Sequence, residues 1–361
     1  MLMAENQSAQ LIAATAADRK SVYRCPGCQA PVRLKRGTVM SAHFAHKANQ
    51  ACETFSEGET AEHILGKQQL AAWFAAAGYT VQLEARLPAI HQRPDVLVQL
   101  GNHQPLALEF QCSPIAVEKL TQRTKGYREH GYRVLWLLGS PYQHQLRANA
   151  KALKFLQHHH AWGCFLIYWC TNANGGQLLL NLTVVDGERL NYQRQRWAAK
   201  QVSVPELLTY QPNFPPPIRV PVQFEHYQHR LILGRLQRQP AMVTLQTYCY
   251  RHGGTLAQLP LWVFMMAPKV PILKTTYLAW YLHIFVTLRQ GPATRTPAQL
   301  LAIIWRTLTP CLAQRPCLLA SDELQAQLIA AVVTELAAAK VIRRVAGVWQ
   351  LQAGQLAWSK H

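Results

Sequence analysis

Apolar and polar positions between residues 55 and 140 alternate in a way that predicts two helices and four strands. The first strand shows the two-residue alternation of a half-buried strand, the next two are short strands joined by a polar turn, and the last is a near-continuous apolar run typical of a buried central strand. The predicted order is a helix through Trp73-Phe74, strands at 79–84, 93–98 and 106–111, a helix from 114 to about 130, and a strand at 132–138. The pattern therefore predicts an α-β-β-β-α-β unit.

The two middle strands carry acidic residues at matching places. Asp95 opens the first, Glu109 lies near the end of the second, and thirteen residues separate them. Antiparallel pairing through a turn at 101–104 would bring both carboxylates within reach of one divalent cation such as Mg²⁺. Gln111 projects to the same side as Glu109, because strand side chains alternate faces. The alternative is that Asp95 closes a turn and Glu109 is a partly solvated strand residue.

This spacing is typical of a PD-(D/E)xK nuclease site. In that chemistry the carboxylates hold a metal ion that lowers the pKa of a bound water and neutralises charge developing on a phosphodiester. The third position usually carries Lys, whereas Gln111 stands here and brings no positive charge. The α-β-β-β-α-β order is also the common core order of the restriction-endonuclease-like fold.

The first predicted helix can contribute further groups. Ser56 or Thr60 can cap it, and Glu59, His63 and Lys67 recur every four residues and share one face. One interpretation is that Glu62, or Glu59, reaches the metal site while His63 and Lys67 face the phosphate. The other interpretation is a solvated polar face, stabilised by side-chain pairs four residues apart along the helix.

The second predicted helix carries Arg123 and Tyr127 four residues apart, on one face near the edge with the carboxylates. There the arginine could grip a phosphate and the tyrosine could stack on a base. The alternative is a surface arginine whose stem covers the tyrosine. Arg93, two residues before Asp95, is assigned to the same DNA-binding set.

A metal-binding pattern precedes this unit. Cys25-Pro-Gly-Cys28 is a zinc-knuckle turn that places two thiolates on one tetrahedral ion. Two further ligands would come from His43, His46 and Cys52, so four of these five residues are expected to bind zinc. We expect the zinc to be structural, because so short a segment cannot build its own core. The alternative is a small β-ribbon with buried thiols.

The chain is strongly basic. It has 37 Lys and Arg against 18 Asp and Glu, a net charge of +19, which favours polyanionic partners. A membrane surface is the competing partner, but no basic amphipathic helix supports it. We therefore expect DNA, single-stranded or branched, and no membrane span. Nine cysteines with one close pair, and no signal peptide, indicate reduced thiols and a cytoplasmic location.

Composition and motif positions divide the chain into four parts. They are a zinc-ribbon-like module (1–54), a nuclease-like domain (55–210), a Pro-rich linker (211–221) and a basic, mainly helical domain (222–361). Within the second part, Leu146 to His160 is predicted to be a basic helix and Trp162 to Val185 a β-hairpin. The basic segment from Arg189 to Lys200 is predicted either to follow the backbone of a bound nucleic acid or to form a solvated helix with aromatic core anchors.

The end of the chain has a separate pattern. Ser321 can cap a helix that leads into a basic hairpin at 340–351. Helices followed by such a hairpin resemble a winged helix, a common module for docking nucleic acid or protein. A helical bundle with a terminal β-ribbon is the alternative.

Several motifs together resemble the competence protein CoiA family, over roughly residues 20 to 140. They are Cys-Pro-Gly-Cys, His-Phe-Ala-His, Ser-Glu-Gly-Glu, Glu62-His63 with Lys67, Gln-Arg-Pro-Asp-Val at 92–96, Leu-Glu-Phe-Gln-Cys-Ser-Pro-Ile at 108–115, and Arg-Thr-x2-Tyr at 123–127. The resemblance implies a nuclease-like protein acting on DNA during natural transformation and around recombination. It also implies a site of Asp95, Glu109 and Gln111, supported by a glutamate of the first helix, with Gln111 part of the family pattern.

We therefore expect a DNA-processing nuclease that uses Mg²⁺ or Mn²⁺ and works beside recombination proteins. Gln111 would position the attacking water, and Glu62 would assist the two metal-binding carboxylates. A non-catalytic adaptor that delivers DNA to recombination proteins is the alternative, favoured by the missing lysine. A third reading is a zinc-dependent regulator that acts through the C-terminal module.

Overall fold

The computed structural model describes residues 1–37, 41–47, 60–101, 103–143, 146, 150–214, 223–264 and 267–359. The chain divides into two compact units. The first comprises Met1–Gln145, Lys151–Leu180 and Gln193–Pro212, and the second comprises Leu146–Ala150, Asn181–Tyr192 and Asn213–His361. The first unit therefore holds both the segment with the cysteine pair and the segment with the two carboxylates.

The first unit begins with a small antiparallel sheet. Its strands are β1 (Met3–Glu5), β2 (Leu11–Ala13), β3 (Tyr23–Arg24), β4 (Pro31–Lys35) and β5 (His43–His46), in the spatial order β2-β1-β3-β4-β5. A compact core lies against it, in which the Tyr23 and Phe44 rings pack with their centroids 4.9 Å apart. This sheet holds the ends of the cysteine turn in place.

The segment that follows has the predicted α-β-β-β-α-β order. Its elements are α1 (Ala61–Ala76), β6 (Thr80–Leu83), β7 (Val96–Gln99), β8 (Leu106–Gln111), α2 (Val117–Glu129) and β9 (Arg133–Leu138). β7 runs antiparallel to both β6 and β8, and β8 runs parallel to β9. Every residue of β8 is buried, as expected for a central strand covered on both faces.

The sheet continues past β9, through β11 (Gly163–Cys170), β12 (Gly175–Thr183) and β13 (Asn191–Ala198). The predicted hairpin at 162–185 is present as the antiparallel β11–β12 pair. The basic helix predicted for Leu146 to His160 is wrong. Its described part is a 3₁₀ turn at Lys151–Phe155 and β10 (Gln157–His159), which pairs with β11. The helix alternative for Arg189 to Lys200 is also wrong, because β13 occupies that segment.

Two features fix α1 against the sheet. The Thr60 hydroxyl accepts a hydrogen bond from His63 N at 3.2 Å, so Thr60 is the N-cap, one of the two predicted candidates. Ser56 lies outside the described residues. At Gly66 the helix touches the Phe110 ring so closely that a Cβ would overlap it. This contact brings the first turn of α1 to the end of β8, where Glu109 and Gln111 lie.

The remaining elements complete the chain. They are α3 (Val204–Leu208), α4 (Gln223–Leu236), α5 (Pro240–Arg251), α6 (Tyr277–Arg289), β14 (Thr294–Arg295), α7 (Pro297–Leu308), α8 (Ser321–Ala338), β15 (Ile342–Val345) and β16 (Val348–Leu351).

The N-cap of α8 is Ala320 and not the predicted Ser321, whose hydroxyl accepts a hydrogen bond from the Gln325 side chain instead. Of the predicted linker, 211–214 is described and 215–221 is not. Within the described ranges, no helix combines the length and apolarity needed to cross a membrane.

Candidate active site

Asp95 and Glu109 face each other across two neighbouring strands. Val96 pairs with Leu108 in the β7–β8 register, and continuing that register by one pair places Asp95 opposite Glu109. Residues directly opposite in an antiparallel pair are the closest neighbours across strands. The Asp95 carboxylate also links the two strands directly, since its Oδ2 accepts a hydrogen bond from the backbone N–H of Phe110 on β8 at 2.8 Å.

α1 supplies the other contacts of Asp95. His63 Nε2 lies 3.1 Å from Asp95 Oδ2, and Lys67 Nζ lies 3.9 Å from Oδ1, beyond hydrogen-bond length. Burial by itself would raise the pKa of Asp95. The charges of His63 and Lys67, together with the hydrogen bonds from His63 and Phe110, outweigh burial and hold that pKa well below its ordinary value. Asp95 is therefore ionised at neutral pH, and its side chain is 15% exposed.

Glu109 has a different environment. It is buried, and its Oε1 accepts hydrogen bonds from the Arg123 guanidinium and the Tyr127 hydroxyl, both on α2. Burial raises the pKa of Glu109 above its ordinary value, the nearby Asp95 charge raises it further, and Arg123 only partly offsets them. Two carboxylates in one site thus have pKa values shifted in opposite directions, which is common where acids act together at functional sites.

A third carboxylate, Glu84 at the end of β6, lies beneath this pair. Its side chain is fully buried and accepts from Lys67 Nζ at 2.6 Å and from Arg93 at 3.1 Å. It also accepts from the backbone N–H groups of Leu2 and Met3, at 3.0 and 3.2 Å. Burial opposes ionisation of Glu84, but the charges of Lys67 and Arg93 outweigh it and depress its pKa. Sequence reasoning missed this residue.

Several residues predicted to contact the nucleic acid are instead buried or bound to carboxylates of the site. Lys67 has 0% exposed side chain, so it has no surface for the phosphate contact predicted for it. Arg93, predicted to contact the strand, is only 10% exposed and supports Glu84. His63 does lie on the exposed side of this cluster. Arg123 and Tyr127 lie beside the carboxylates as predicted, but both hold Glu109.

The two remaining predicted residues bind loops at the same edge of the sheet. Glu62 accepts from the backbone N–H and the hydroxyl of Ser140, at 2.7 and 2.6 Å. The Gln111 side-chain amide donates to the carbonyl and hydroxyl oxygens of Ser113, at 2.8 and 3.1 Å. Glu62 is therefore near the site but anchored by the loop after β9. The other glutamate considered, Glu59, lies outside the described residues.

The donor chemistry of the site fits a hard divalent cation. Asp95 and Glu109 offer carboxylate oxygens, the ligands that Mg²⁺ and Mn²⁺ prefer. The described acids Glu84, Asp95 and Glu109 are matched by the cations Lys67, Arg93 and Arg123. A bound divalent ion would give this cluster a positive surplus, which favours an anionic phosphate.

A second candidate metal site lies in the small N-terminal sheet. Ligand atoms of Cys25, Cys28 and His46 lie within 4.8 Å of one another, and no other such trio occurs among the described His, Cys, Asp and Glu residues. Cys28 Sγ is 3.3 Å from His46 Nε2. Burial and nearby positive charges lower the pKa of His46, which favours the neutral, metal-binding imidazole.

His43 is not in this group. His43 and His46 are three positions apart on β5, so their side chains lie on opposite faces of the strand. His43 Nδ1 instead contacts the carbonyl oxygen of Ser41 at 2.9 Å. Of the two histidines that the sequence left open as zinc ligands, the structure thus groups His46, and not His43, with the cysteine pair. Cys52, the remaining candidate, lies outside the described residues.

Comparison with protein families decides the affiliation. Residues 5–55 match the model for the N-terminal domain of competence protein CoiA, and residues 59–212 match the model for its nuclease-like domain. Together the two matches cover more than half of the chain. The chain belongs to the CoiA competence protein family.

The nuclease-like CoiA match includes every side chain of the carboxylate site described above, and the N-terminal match includes the Cys25–Cys28–His46 trio. The chain is also 37% identical over 117 residues to competence protein CoiA of Bacillus subtilis, which is 32% of this chain and 31% of that protein. The chain thus aligns with about a third of the length of that curated relative. The search of solved structures gave no match.

Proposed function

We propose that this protein is a metal-dependent nuclease that processes DNA during natural transformation and recombination. The observation that carries the proposal is the placement of Asp95 opposite Glu109 at the open end of β7 and β8, within a nuclease-like domain. DNA taken up during competence, single-stranded or in branched recombination intermediates, is the substrate that we infer. The net charge of +19 supports a polyanionic substrate.

In this proposal Asp95 and Glu109 hold Mg²⁺ or Mn²⁺. Such an ion supplies a Lewis acid that lowers the pKa of a bound water and offsets charge on the phosphate. Asp95 is ready to bind because its pKa is depressed. Glu109 must be ionised to bind, and the Arg123 and Tyr127 contacts favour its ionised form.

The other residues have positioning roles in the same proposal. Glu84 holds Lys67 and Arg93 beneath the site, and Lys67 in turn favours the ionised form of Asp95. His63, 21% exposed and 3.1 Å from Asp95 Oδ2, is the α1 side chain that we assign to the phosphate. Gln111 can orient the attacking water through its amide, which Ser113 fixes in place.

We also propose that Cys25, Cys28 and His46 bind a structural zinc ion. Thiolate and imidazole ligands suit zinc, and a Cys-x-x-Cys turn is a common half of such a site. Cys52, predicted from the sequence, is the proposed fourth ligand. The ion would stabilise a sheet whose own core is small.

Cleavage assays on the full chain test the nuclease. Labelled single-stranded, duplex and branched DNA would be incubated with Mn²⁺ or Mg²⁺, and products resolved on denaturing gels. Asp95→Asn and Glu109→Gln should each abolish cleavage, whereas Glu118→Gln, an exposed acid on α2, should retain it. Cleavage that survives Asp95→Asn would contradict the assigned site.

The second candidate is a non-catalytic adaptor that delivers DNA to recombination proteins. It is favoured by Gln111, which stands where a charged lysine is usual, and by the Arg123–Tyr127 contacts that occupy Glu109 Oε1. The adaptor predicts intact DNA binding with no cleavage of any of the three substrates. Direct titration with Mn²⁺ separates the cases further, since only the nuclease requires metal affinity that is lost in Asp95→Asn.

A further inference from the structure

The last 85 residues of the second unit have a distinctive order of elements. They run helix α6, strand β14, helices α7 and α8, then the hairpin β15–β16. β16 lies in the middle of the three-stranded sheet, pairing with β14 at Thr294↔Gln350 and with β15 at Ile342↔Leu351. This order and pairing are those of a winged helix, in which the terminal hairpin is the wing. We call residues 340–351 the wing.

The tip of the wing is exposed and basic. Residues 343–347 are all exposed, while Ile342 and Leu351 at its base are buried. Ala346 and Gly347 both have positive φ, 47° and 82°, as a tight two-residue turn with primed geometry requires. A tight turn keeps the two strands paired up to the tip, so the wing projects as a firm ribbon.

Its cations are arranged on both faces of that ribbon. Arg343 and Arg344 are consecutive strand residues, so their side chains project to opposite sides. The Arg344 guanidinium lies 5.9 Å from the centre of the Trp349 ring, its cross-strand neighbour, an arrangement that orients the cation without burying it. Lys340 is exposed at the base of the wing. Three of the five residues from 340 to 344 are thus cationic.

Helix α8, which precedes the wing, has the opposite character. Its first turn carries Asp322 and Glu323, both exposed, and Ser321–Ala338 contains no Lys or Arg. The rest of its exposed face is Ala, Gln and Thr. A helix that inserts into a DNA groove must approach phosphates closely, and these acids would repel them. The charge distribution therefore favours the wing, and not α8, as the surface for a polyanion.

We propose that the wing is a second nucleic-acid contact of this protein, which binds the phosphate backbone without reading base sequence. Arg343 and Arg344 are the contacting residues, with Lys340 in support. The choice of DNA as the polyanion rests on the proposed function, but the wing residues are separate from Asp95 and Glu109. Phosphate contacts position a nucleic acid and carry no sequence information directly, so the same wing would serve many substrates.

The salt dependence of binding tests the proposal. Full-length protein in EDTA, where no metal-dependent cleavage occurs, would be titrated onto fluorescein-labelled 30-mers of unrelated sequence, with anisotropy as the readout. Each lost phosphate contact lowers the slope of log K against log[salt] by about 0.7 for single strands and about 0.9 for duplex. Arg343→Gln/Arg344→Gln should therefore lower the slope by about 1.4 to 1.8. Between 50 and 200 mM salt, the affinity of this variant should fall by a factor roughly 7- to 12-fold smaller than that of the wild type.

A matched pair controls for net charge. Arg238 and Arg251 are exposed arginines of the same unit, and Arg238→Gln/Arg251→Gln removes the same two charges. This control should keep the wild-type slope. Arg343→Lys/Arg344→Lys should keep the wild-type slope that the Gln variant loses, because lysine supplies the same charge as arginine. Thermal unfolding of each variant establishes that the fold is retained.

Three outcomes would overturn the proposal. The first is that the wing variant and the Arg238/Arg251 control have equal slopes. The second is a tenfold gain in affinity on Asp322→Asn/Glu323→Gln, which would place α8 against the DNA. The third is a strong preference for one DNA sequence that is lost with the wing. Failure of the nuclease proposal gives a different result, namely no cleavage with the wing-dependent slope unchanged.

Discussion

Replacing Glu84 with Gln should destabilise the first unit strongly at neutral pH. Lys67 is fully buried and Arg93 is 10% exposed, and Glu84 is the carboxylate that accepts hydrogen bonds from both. Removing one partner of a buried ion pair costs about 3–5 kcal/mol, because it leaves the other charge uncompensated. A domain of 150–250 residues loses about 2–4 °C in Tm per kcal/mol. We therefore expect a Tm lower by roughly 10 °C.

The pH dependence gives this prediction a sign. The pKa of Glu84 is depressed in the folded protein, so its contribution is fully present above the ordinary glutamate pKa of about 4.3 and is lost as pH falls below it. The difference between wild type and Glu84→Gln should thus be largest near neutrality. It should shrink by about 1.4 kcal/mol for each pH unit below about 4.

Thermal and urea unfolding followed by circular dichroism would measure both effects. Glu129→Gln is the matched control, since Glu129 pairs with Lys125 at 3.6 Å on the exposed face of α2; it should change stability by less than about 0.5 kcal/mol. The combined Lys67→Met/Glu84→Gln variant should recover part of the loss, because it also removes the buried cation that has lost its hydrogen-bonded carboxylate. A Glu84→Gln protein within about 1 kcal/mol of the control would refute the reasoning.

Three further predictions concern the carboxylate site, the metal cluster and the α1 contact. Tyr127→Phe removes a hydrogen bond that lowers the pKa of Glu109. The pH at which Mn²⁺ binding sets in, measured by titration, should therefore be higher than in wild type, whereas Tyr132→Phe should leave that pH unchanged. Bound zinc, measured by elemental analysis, should be lost in His46→Ala and kept in His43→Ala. Gly66→Ala should cost about 1–3 kcal/mol through overlap with Phe110, while Gly354→Ala, with open space around it, should be near neutral in denaturant unfolding.

The local pattern of the chain was enough to predict most of the nuclease-like segment. Two-residue alternation marks strands and four-residue spacing marks helices, because each follows from the geometry of a single element. The α-β-β-β-α-β order and the opposition of Asp95 and Glu109 are consequences of these patterns and one short turn. The separation of His43 from His46 follows from strand parity as well, and could have been predicted from the sequence.

Errors occurred where local patterns competed or where the spacing was ambiguous. Leu146 to His160 is basic and partly apolar, which fits a helix, yet its described end pairs with β11 and forms a strand. Ser321 and Ala320 differ by one position at the start of α8, and only the backbone identifies which residue is the cap.

The sequence by itself determined which elements form between residues 60 and 138, where the two carboxylates and the cysteine turn lie along the chain, and that the protein is basic. The tertiary structure decided which charges meet. Lys67 has the spacing of a surface residue, but packing of α1 on the sheet buries it against Glu84, and Glu84 draws in the backbone of Leu2 and Met3 from 81 or more positions away. Periodicity describes the face of one element, whereas burial and ion pairing depend on what another element brings to that face.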